Sequence, residues 1–279
     1  MLWNIIADSS CDLHDGMDCA ENVAFHMVPM SVRIGDLEFV DTPKLDVREM
    51  MEVMRSTSLP SSSACPSVEA WAALFEAADC SLAVTISSAL SGSYNAAMAA
   101  RSLVLEEHPE KKIHVVDSRS ASGQMALVVE RINQLIAKGL PFEAVARQAE
   151  AYNRQLRILF TLSHYDNLVK NGRMNKVVGM VVSTLKIRLI ARGSDKGTIE
   201  MLYKVRGEMG ALLKLVEAMG EQKDPAGLPV IITHCNNPEG AGKLKGLIEA
   251  AYDGVQIRLQ RTHALTSYYA EEGGLIVSF

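Results

Sequence analysis

The sequence feature that most constrains this fold is a repeated unit in which a short apolar run ends in small polar residues and a helical segment follows. Three such runs end at Asp8, Ser87 and Asp117. Continuous apolar runs of this length are typical of strands buried on both faces of a parallel sheet. Helices are predicted at residues 68–78, 94–105, 124–137 and 142–155, and that over 94–105 is the clearest. The alternation of strands and helices predicts a doubly wound parallel sheet in the first part of the chain.

The later part of the chain has a different pattern. Strands are predicted at residues 157–162, 186–191, 198–205, 230–233, 256–259 and 275–279, with helices at 164–170, 209–219 and 241–251. A turn at Asp195, Lys196 and Gly197 predicts a hairpin and therefore a mixed sheet. With 279 residues, the chain is long enough for two α/β domains, 1–155 and 156–279.

Charge and composition exclude several classes of protein. The net charge is -5 at pH 7, so no basic surface for nucleic acid is expected. The first residues have no basic segment of a signal peptide, and no apolar stretch is long enough to span a bilayer, which predicts a cytoplasmic protein. The five cysteines have irregular spacing, so reduced thiols are expected, without a zinc site.

Two serine-rich segments stand out as a candidate anion site. SSALSGSY (residues 87–94) lies between a predicted strand and helix, and SSSACPS (residues 61–67) is predicted as a second loop, which precedes another helix. Ligands of open parallel sheets bind at the carboxyl ends of the strands, where helix N-termini offer free N–H groups. Each serine alone is explained as a helix cap or turn residue. Two clusters together favour a site.

The sequence lacks the patterns of a phosphate-binding loop and of the nucleophile elbow of hydrolases. Ser91 is a candidate nucleophile only if a histidine reaches it, and the candidates are His164, His234 and His263. Two arginines lie just after the ends of predicted elements: Arg173 follows a helix and Arg206 follows a strand. Each is either a solvated side chain or a charge that holds an anion or a partner.

The order of several motifs resembles the DegV family. The matching segments cover almost the whole chain and are DSSCDL (8–13), VPM (28–30), Asp41, SSSACPS (61–67), ISSALSGSY (86–94), VDS (116–118), NGRM (171–174) and KVRG (204–207). The segment SALSG after a strand is the most specific of them. Members of this family resemble the fatty-acid-binding subunits of bacterial fatty acid kinase.

The resemblance implies a fatty-acid carrier with no catalysis of its own. Two α/β domains would enclose an acyl chain in a cleft between them, and a separate kinase subunit would phosphorylate the carboxylate. The long-chain fatty acid would be the only bound group, without cofactor or metal, and a fatty-acid ligand also allows transient contact with a membrane surface. The residues implied at the carboxylate are Ser63, Ser91, Gly92, Ser93, Arg206 and Tyr269. Contacts with the head group or a partner are implied for Ser87, Ser88, Ser118 and Arg173.

The chain departs from the family pattern near its end. The family commonly has a histidine that reaches the carboxylate, and Tyr269 stands at that place. A tyrosine hydroxyl donates a hydrogen bond but carries no positive charge near neutral pH. The apolar stretch 177–182 is a candidate wall of the tunnel or ordinary core. Two other functions stay open: a serine-dependent hydrolase or transferase using Ser91, and a binder of another acidic lipid.

Overall fold

The computed structural model describes residues 1–14, 16–174 and 187–279. Its strands are β1 (Trp3–Asp8), β2 (Val23–Val28), β3 (Ser31–Ile34), β4 (Leu37–Val40), β5 (Ser61–Ala64), β6 (Cys80–Thr85), β7 (Lys112–Asp117), β8 (Ile158–Thr161), β9 (Ile187–Gly193), β10 (Ile199–Arg206), β11 (Pro229–His234), β12 (Gln256–Arg261) and β13 (Leu275–Ser278). Its helices are α1 (Val47–Ser56), α2 (Val68–Glu76), α3 (Ser93–Glu107), α4 (Gly123–Ala137), α5 (Phe142–Gln155), α6 (Asp166–Lys170), α7 (Glu208–Gln222), α8 (Pro238–Ala251) and α9 (Ala264–Ala270).

A four-stranded parallel sheet of order β2-β1-β6-β7 forms the first part. The sequence predicts the parallel sheet and three of its strands, β1, β6 and β7, whereas β2 was not predicted. Successive residues of a strand face opposite sides, and this is visible in β1. Ile6 packs with Trp71 of α2 and Ala97 of α3, whereas Ile5 packs with Met125 of α4 in a separate cluster. Because helices cover both faces, successive residues of β1 and β6 are buried rather than alternating between buried and exposed.

The second large sheet is mixed and has the order β10-β9-β8-β13-β11-β12. Only β11 and β12 pair in parallel; the other neighbours are antiparallel. One face packs against α7 and α8. The other face, with Ile231 and Ile276, belongs to the same core cluster as α4. A Cβ at Gly123, which begins α4, would lie 2.9 Å from Ile231, so this close packing requires glycine.

The core therefore continues across the predicted boundary between residues 155 and 156. The boundary itself falls between α5 and β8, and the division into two domains stays a prediction.

A third, antiparallel sheet of order β4-β3-β5 was not predicted. The segment 61–64 was expected to be a loop, and this was wrong, because it forms β5 and pairs with β3 from Ser31↔Ala64 to Ile34↔Ser61. A run of three serines gives no apolar strand pattern, since strand assignment depends on neighbours that the local sequence does not contain. Through this pairing, β5 places Ser63 in the cavity at the carboxyl ends of the parallel strands, which is described below.

Most other elements lie within a few residues of their predicted bounds, and α5 matches them. The helices α1 and α9 were not predicted. The stretch 177–182 and the first residue of the strand predicted at 186–191 lie outside the described residues. Within the described ranges, no helix combines the length and the apolar character needed to cross a membrane.

Candidate functional site

A cavity of about 350 Å³ lies where the carboxyl ends of β1, β6 and β7 face β8, β9 and β13. This volume is within the usual range of small-molecule sites, about 300 to 1,000 Å³. Its wall is mainly apolar. The larger apolar side chains are Met30, Ile86, Leu90, Ile158, Phe160, Leu162, Leu168, Ile199, Leu265 and Ile276, and Ala121 is among the smaller ones.

One end of the cavity is polar and is built by β5 and α9. The hydroxyls of Ser63 and Tyr269 are 2.8 Å apart and hydrogen-bonded, and both residues line the cavity. A second pair, Ser61 and Tyr268, is also 2.8 Å apart. Burial raises the pKa of the Tyr269 phenol, although the hydrogen bond from Ser63 and the charge of Arg173 lower it somewhat. The phenol is therefore protonated near neutral pH and can donate to an anion.

Arg173 brings a positive charge to the same end. The helix α6 stops at Asn171 and Gly172, where Gly172 has a φ of 73° and the Arg173 N–H bonds to the carbonyl of Leu168 at 2.8 Å. The turn directs the guanidinium toward the β6–α3 loop, where Nε donates to the carbonyl of Leu90 at 3.0 Å. Nη1 donates to the carbonyl of Asn171.

Among the described residues, no carboxylate neutralises the charge of Arg173. None of the ion pairs formed within the described ranges includes this half-buried guanidinium, whose hydrogen bonds go only to backbone carbonyls. A half-buried cation without a carboxylate partner is costly unless an anion binds to it. The polar end of the cavity is therefore electrostatically suited to a carboxylate.

The β6–α3 loop uses its four serines in different ways. Ser87 donates to the carbonyl of Gly197 at 2.7 Å, and Ser88 bonds to the carboxylate of Asp117. Ser93 donates to Asp8 at 2.6 Å. Ser91 lines the cavity, and its hydroxyl accepts from the N–H of Ser93 at 3.3 Å. Of the four hydroxyls, only that of Ser91 has no acceptor among the described residues, so it is the one available to a ligand.

The predicted site residues thus separate into two groups. Ser63, Ser91, Gly92, Arg173 and Tyr269 line one cavity. The other five do not line it. Ser87, Ser88 and Ser93 form the hydrogen bonds given above. Ser118 is buried and donates to the carbonyl of Ser120, and Arg206 is exposed at the end of β10. The sequence did not single out the wall residues Arg119 and Thr198, because neither belongs to a recognisable motif.

The described residues do not provide Ser91 with a histidine. His164 is exposed, and Nδ1 of His234 accepts from the N–H of Asn237 at 3.3 Å. Nδ1 of His263 is bonded to Asp41. Because an activated serine needs a base within hydrogen-bonding distance, this arrangement does not favour the hydrolase or transferase alternative.

Buried carboxylates hold the loops behind the cavity. Asp8 at the end of β1 accepts from the hydroxyls of Ser10 and Ser93 and from the N–H of Ile86. It thereby ties β1 to the β6–α3 loop. Asp12 accepts from the hydroxyl of Ser122 at 2.7 Å and from the N–H of His263 at 2.8 Å. Burial raises the pKa of both carboxyls, and that of Asp12 to about 7.

The raised pKa of Asp12 predicts a stability that falls as the pH rises. The folded protein keeps a proton on Asp12 up to about pH 7, whereas in the unfolded chain this carboxyl has its ordinary pKa of 3.8 and loses the proton there. Between about pH 6 and pH 8, the Asp12 contribution should therefore decrease by about 1 kcal/mol. Thermal unfolding of the unaltered protein and of Asp12→Asn measures this. The variant should lose less stability over this interval, and parallel pH curves would contradict the assignment.

Comparison with known proteins finds one protein family that matches along the whole chain. A family model described as an uncharacterised protein of the DegV family matches residues 2–279. A DegV domain-containing protein of Streptococcus gordonii is 40% identical over 279 residues, which is 100% of this chain and 99% of the relative.

Solved structures agree with this result. The Streptococcus pneumoniae Fatty Acid Kinase (Fak) B3 protein loaded with linoleic acid is similar with a TM-score of 0.97 and 40% identity, over 100% of this chain and 99% of the other. A protein from Eubacterium eligens loaded with heptadecanoic acid has a TM-score of 0.92 and 35% identity, over 99% and 98% of the two chains.

Proposed function

Because this chain belongs to the DegV family, we propose that it binds a fatty acid whose tail fills the apolar cavity and whose carboxylate lies at Ser63, Arg173 and Tyr269. Ser91 contributes a further hydroxyl. The observation that supports this most directly is the half-buried guanidinium of Arg173, which has no carboxylate partner among the described residues. It lies beside hydroxyl donors at one end of an apolar cavity.

The energetics of such a ligand divide between its two ends. A tail of about sixteen methylenes, each contributing about 0.8 kcal/mol when buried, supplies on the order of 10 kcal/mol before the costs of binding. The tail therefore dominates affinity. A fatty-acid carboxylate is ionised near neutral pH and must find donors when it leaves water. The polar end supplies them and orients the ligand.

Native mass spectrometry of the purified full chain tests this function. We expect a copurified acyl chain, one for each protein molecule, that is released on denaturation and identified by lipid extraction. A delipidated protein should rebind a long-chain fatty acid. A protein that purifies without an acyl chain and has no affinity for fatty acids would overturn the proposal. Binding of a different acidic lipid in the same assay would support the second candidate, a carrier of that lipid.

We also propose that catalysis comes from a partner. The sequence has no phosphate-binding loop of the GxxxxGK[ST] type, and the Streptococcus pneumoniae neighbour is named as a fatty acid kinase protein. A kinase subunit would phosphorylate the carboxylate held at the polar end. Incubation of the loaded protein with ATP and the catalytic subunit of a bacterial fatty acid kinase should give an acyl phosphate. ATP with the loaded protein alone should give none.

A further inference from the structure

The helix that carries Tyr269 is held at its first residues by a carboxylate from a distant part of the chain. His263 precedes α9 and makes no capping hydrogen bond with its side chain. Instead the buried carboxylate of Asp41, which follows β4, accepts from the N–H groups of Ala264 (3.1 Å) and Leu265 (3.0 Å). The first N–H groups of a helix have no partners within it, so Asp41 supplies acceptors that the sequence of α9 lacks.

Two histidines also face Asp41. Nδ1 of His263 is hydrogen-bonded to Oδ1 of Asp41, and Nε2 of His14 lies 3.7 Å from the same oxygen. The two imidazole rings are stacked, with centroids 3.4 Å apart and planes inclined by 17°. A metal ion bound by both rings would have to lie in both ring planes, which nearly parallel rings at this separation prevent unless one rotates. The stack is therefore better suited to fixing Asp41 than to binding a cation.

The other end of α9 is fixed as well. Asn167 of α6 donates to the carbonyl of Tyr268 at 2.8 Å, and the Tyr268 hydroxyl bonds to Ser61 and to Asn171 at 2.8 and 2.9 Å. The helix is therefore clamped at both ends, by Asp41 at the first and by α6 and β5 at the second.

This clamp reaches the ligand site through one face of α9. Leu265 and Tyr269 are four residues apart, so they lie on the same face of the helix, and both line the cavity. The N–H of Leu265 is bonded directly to Asp41. A shift of this first turn would therefore move the Tyr269 hydroxyl relative to Ser63, its partner at 2.8 Å.

We propose that Asp41 is a positioning residue for the head-group site, which acts by fixing α9 so that the Tyr269 hydroxyl points at the ligand carboxylate. This inference rests on the proposed fatty-acid function. Asp41 does not itself line the cavity. Its effect on binding should therefore depend on the presence of the Tyr269 hydroxyl.

A double-mutant cycle tests this dependence. Asp41→Asn replaces one carboxylate oxygen by an NH2 group, which cannot accept a hydrogen bond. At least one of the bonds from Ala264, Leu265 and His263 is therefore lost. Calorimetric titration of the delipidated full chain with oleic acid should show Asp41→Asn weakening binding about fivefold when Tyr269 is present. In the Tyr269→Phe background the same change should weaken it less than about twofold. Equal factors in the two backgrounds would overturn the inference.

Asp46→Asn is the matched control. Asp46 caps α1 through Oδ1 alone, which accepts from the N–H groups of Arg48 and Glu49, and asparagine keeps this oxygen. It should leave oleic acid affinity unchanged in both backgrounds. A purely structural role of Asp41 would lower the melting temperature without any coupling to Tyr269.

The outcomes separate the two proposals. If the unaltered protein does not bind oleic acid, the fatty-acid function fails, and the role of Asp41 with it. If the unaltered protein binds and Tyr269→Phe weakens binding but shows no coupling to position 41, only the positioning role fails. Should Asp41→Asn not fold, His263→Leu replaces it in the cycle. That variant removes one donor to Asp41 and leaves the bonds from Ala264 and Leu265.

Discussion

Replacement of Arg173 by methionine should weaken fatty-acid binding about 100-fold, because a ligand carboxylate would lose the positive charge that lies beside the hydroxyls of Ser63 and Tyr269. Methionine keeps most of the apolar stem and removes the guanidinium, so the wall of the cavity is retained. The free protein should not lose much stability, since the hydrogen bonds lost are those to the carbonyls of Leu90 and Asn171. Titration with a long-chain fatty acid at constant ionic strength measures the effect.

Arg101→Met is the control for this substitution. Arg101 is also half-buried and donates through Nε to a backbone carbonyl, that of Ile113 at 2.9 Å, but it does not line the cavity. Its replacement should leave affinity within about twofold of the unaltered protein. Arg206→Met is informative as well, because Arg206 was predicted at the head group and is exposed at the end of β10. If Arg206→Met reduced affinity as much as Arg173→Met, the assignment of the charged partner would be wrong.

The parallel sheet and most helices could be predicted from the sequence because their signals are local. A buried strand such as β6 is a continuous apolar run, and α5 has apolar residues at helical spacing. The turn between β9 and β10 contains Gly197 with a φ of 76°, a conformation that glycine adopts without steric cost, so the glycine in the sequence indicates the turn. In each case the residues that determine the structure lie within the element itself.

The polar end of the cavity depends on long-range partners, and there the sequence was less informative. The helix α9 has seven residues and no capping side chain of its own, and the residue that caps it, Asp41, is bonded to His263 across 222 positions. β5 likewise depends on pairing with β3. The serine motifs identified the region, but only the fold determines that Ser91 faces the cavity while Ser93 bonds to Asp8.

A side chain that fills the apolar part of the cavity should also weaken the binding of a long-chain fatty acid. Unlike the effect of Arg173→Met, this effect should depend on the length of the acyl chain. Ala121 follows β7 and lines the cavity. In Ala121→Phe the ring would occupy space needed by the tail. Exclusion of about four methylenes, at about 0.8 kcal/mol each, would weaken binding of a long-chain acid by more than about 100-fold. The folded protein should remain stable, since the ring enters space that the protein leaves unfilled.

The dependence on chain length separates this variant from Arg173→Met. Titration with octanoic, dodecanoic and octadecenoic acids should show affinity rising with length in the unaltered protein, because each added methylene is buried. Arg173→Met should lower the three affinities by a similar factor, since all three acids share the carboxylate. Ala121→Phe should flatten the increase and affect octanoic acid least. Ala137→Phe, which adds the same ring at an exposed position of α4 outside the cavity wall, should leave the whole series unchanged. If Ala121→Phe weakened the three acids equally, the tail would not lie against Ala121.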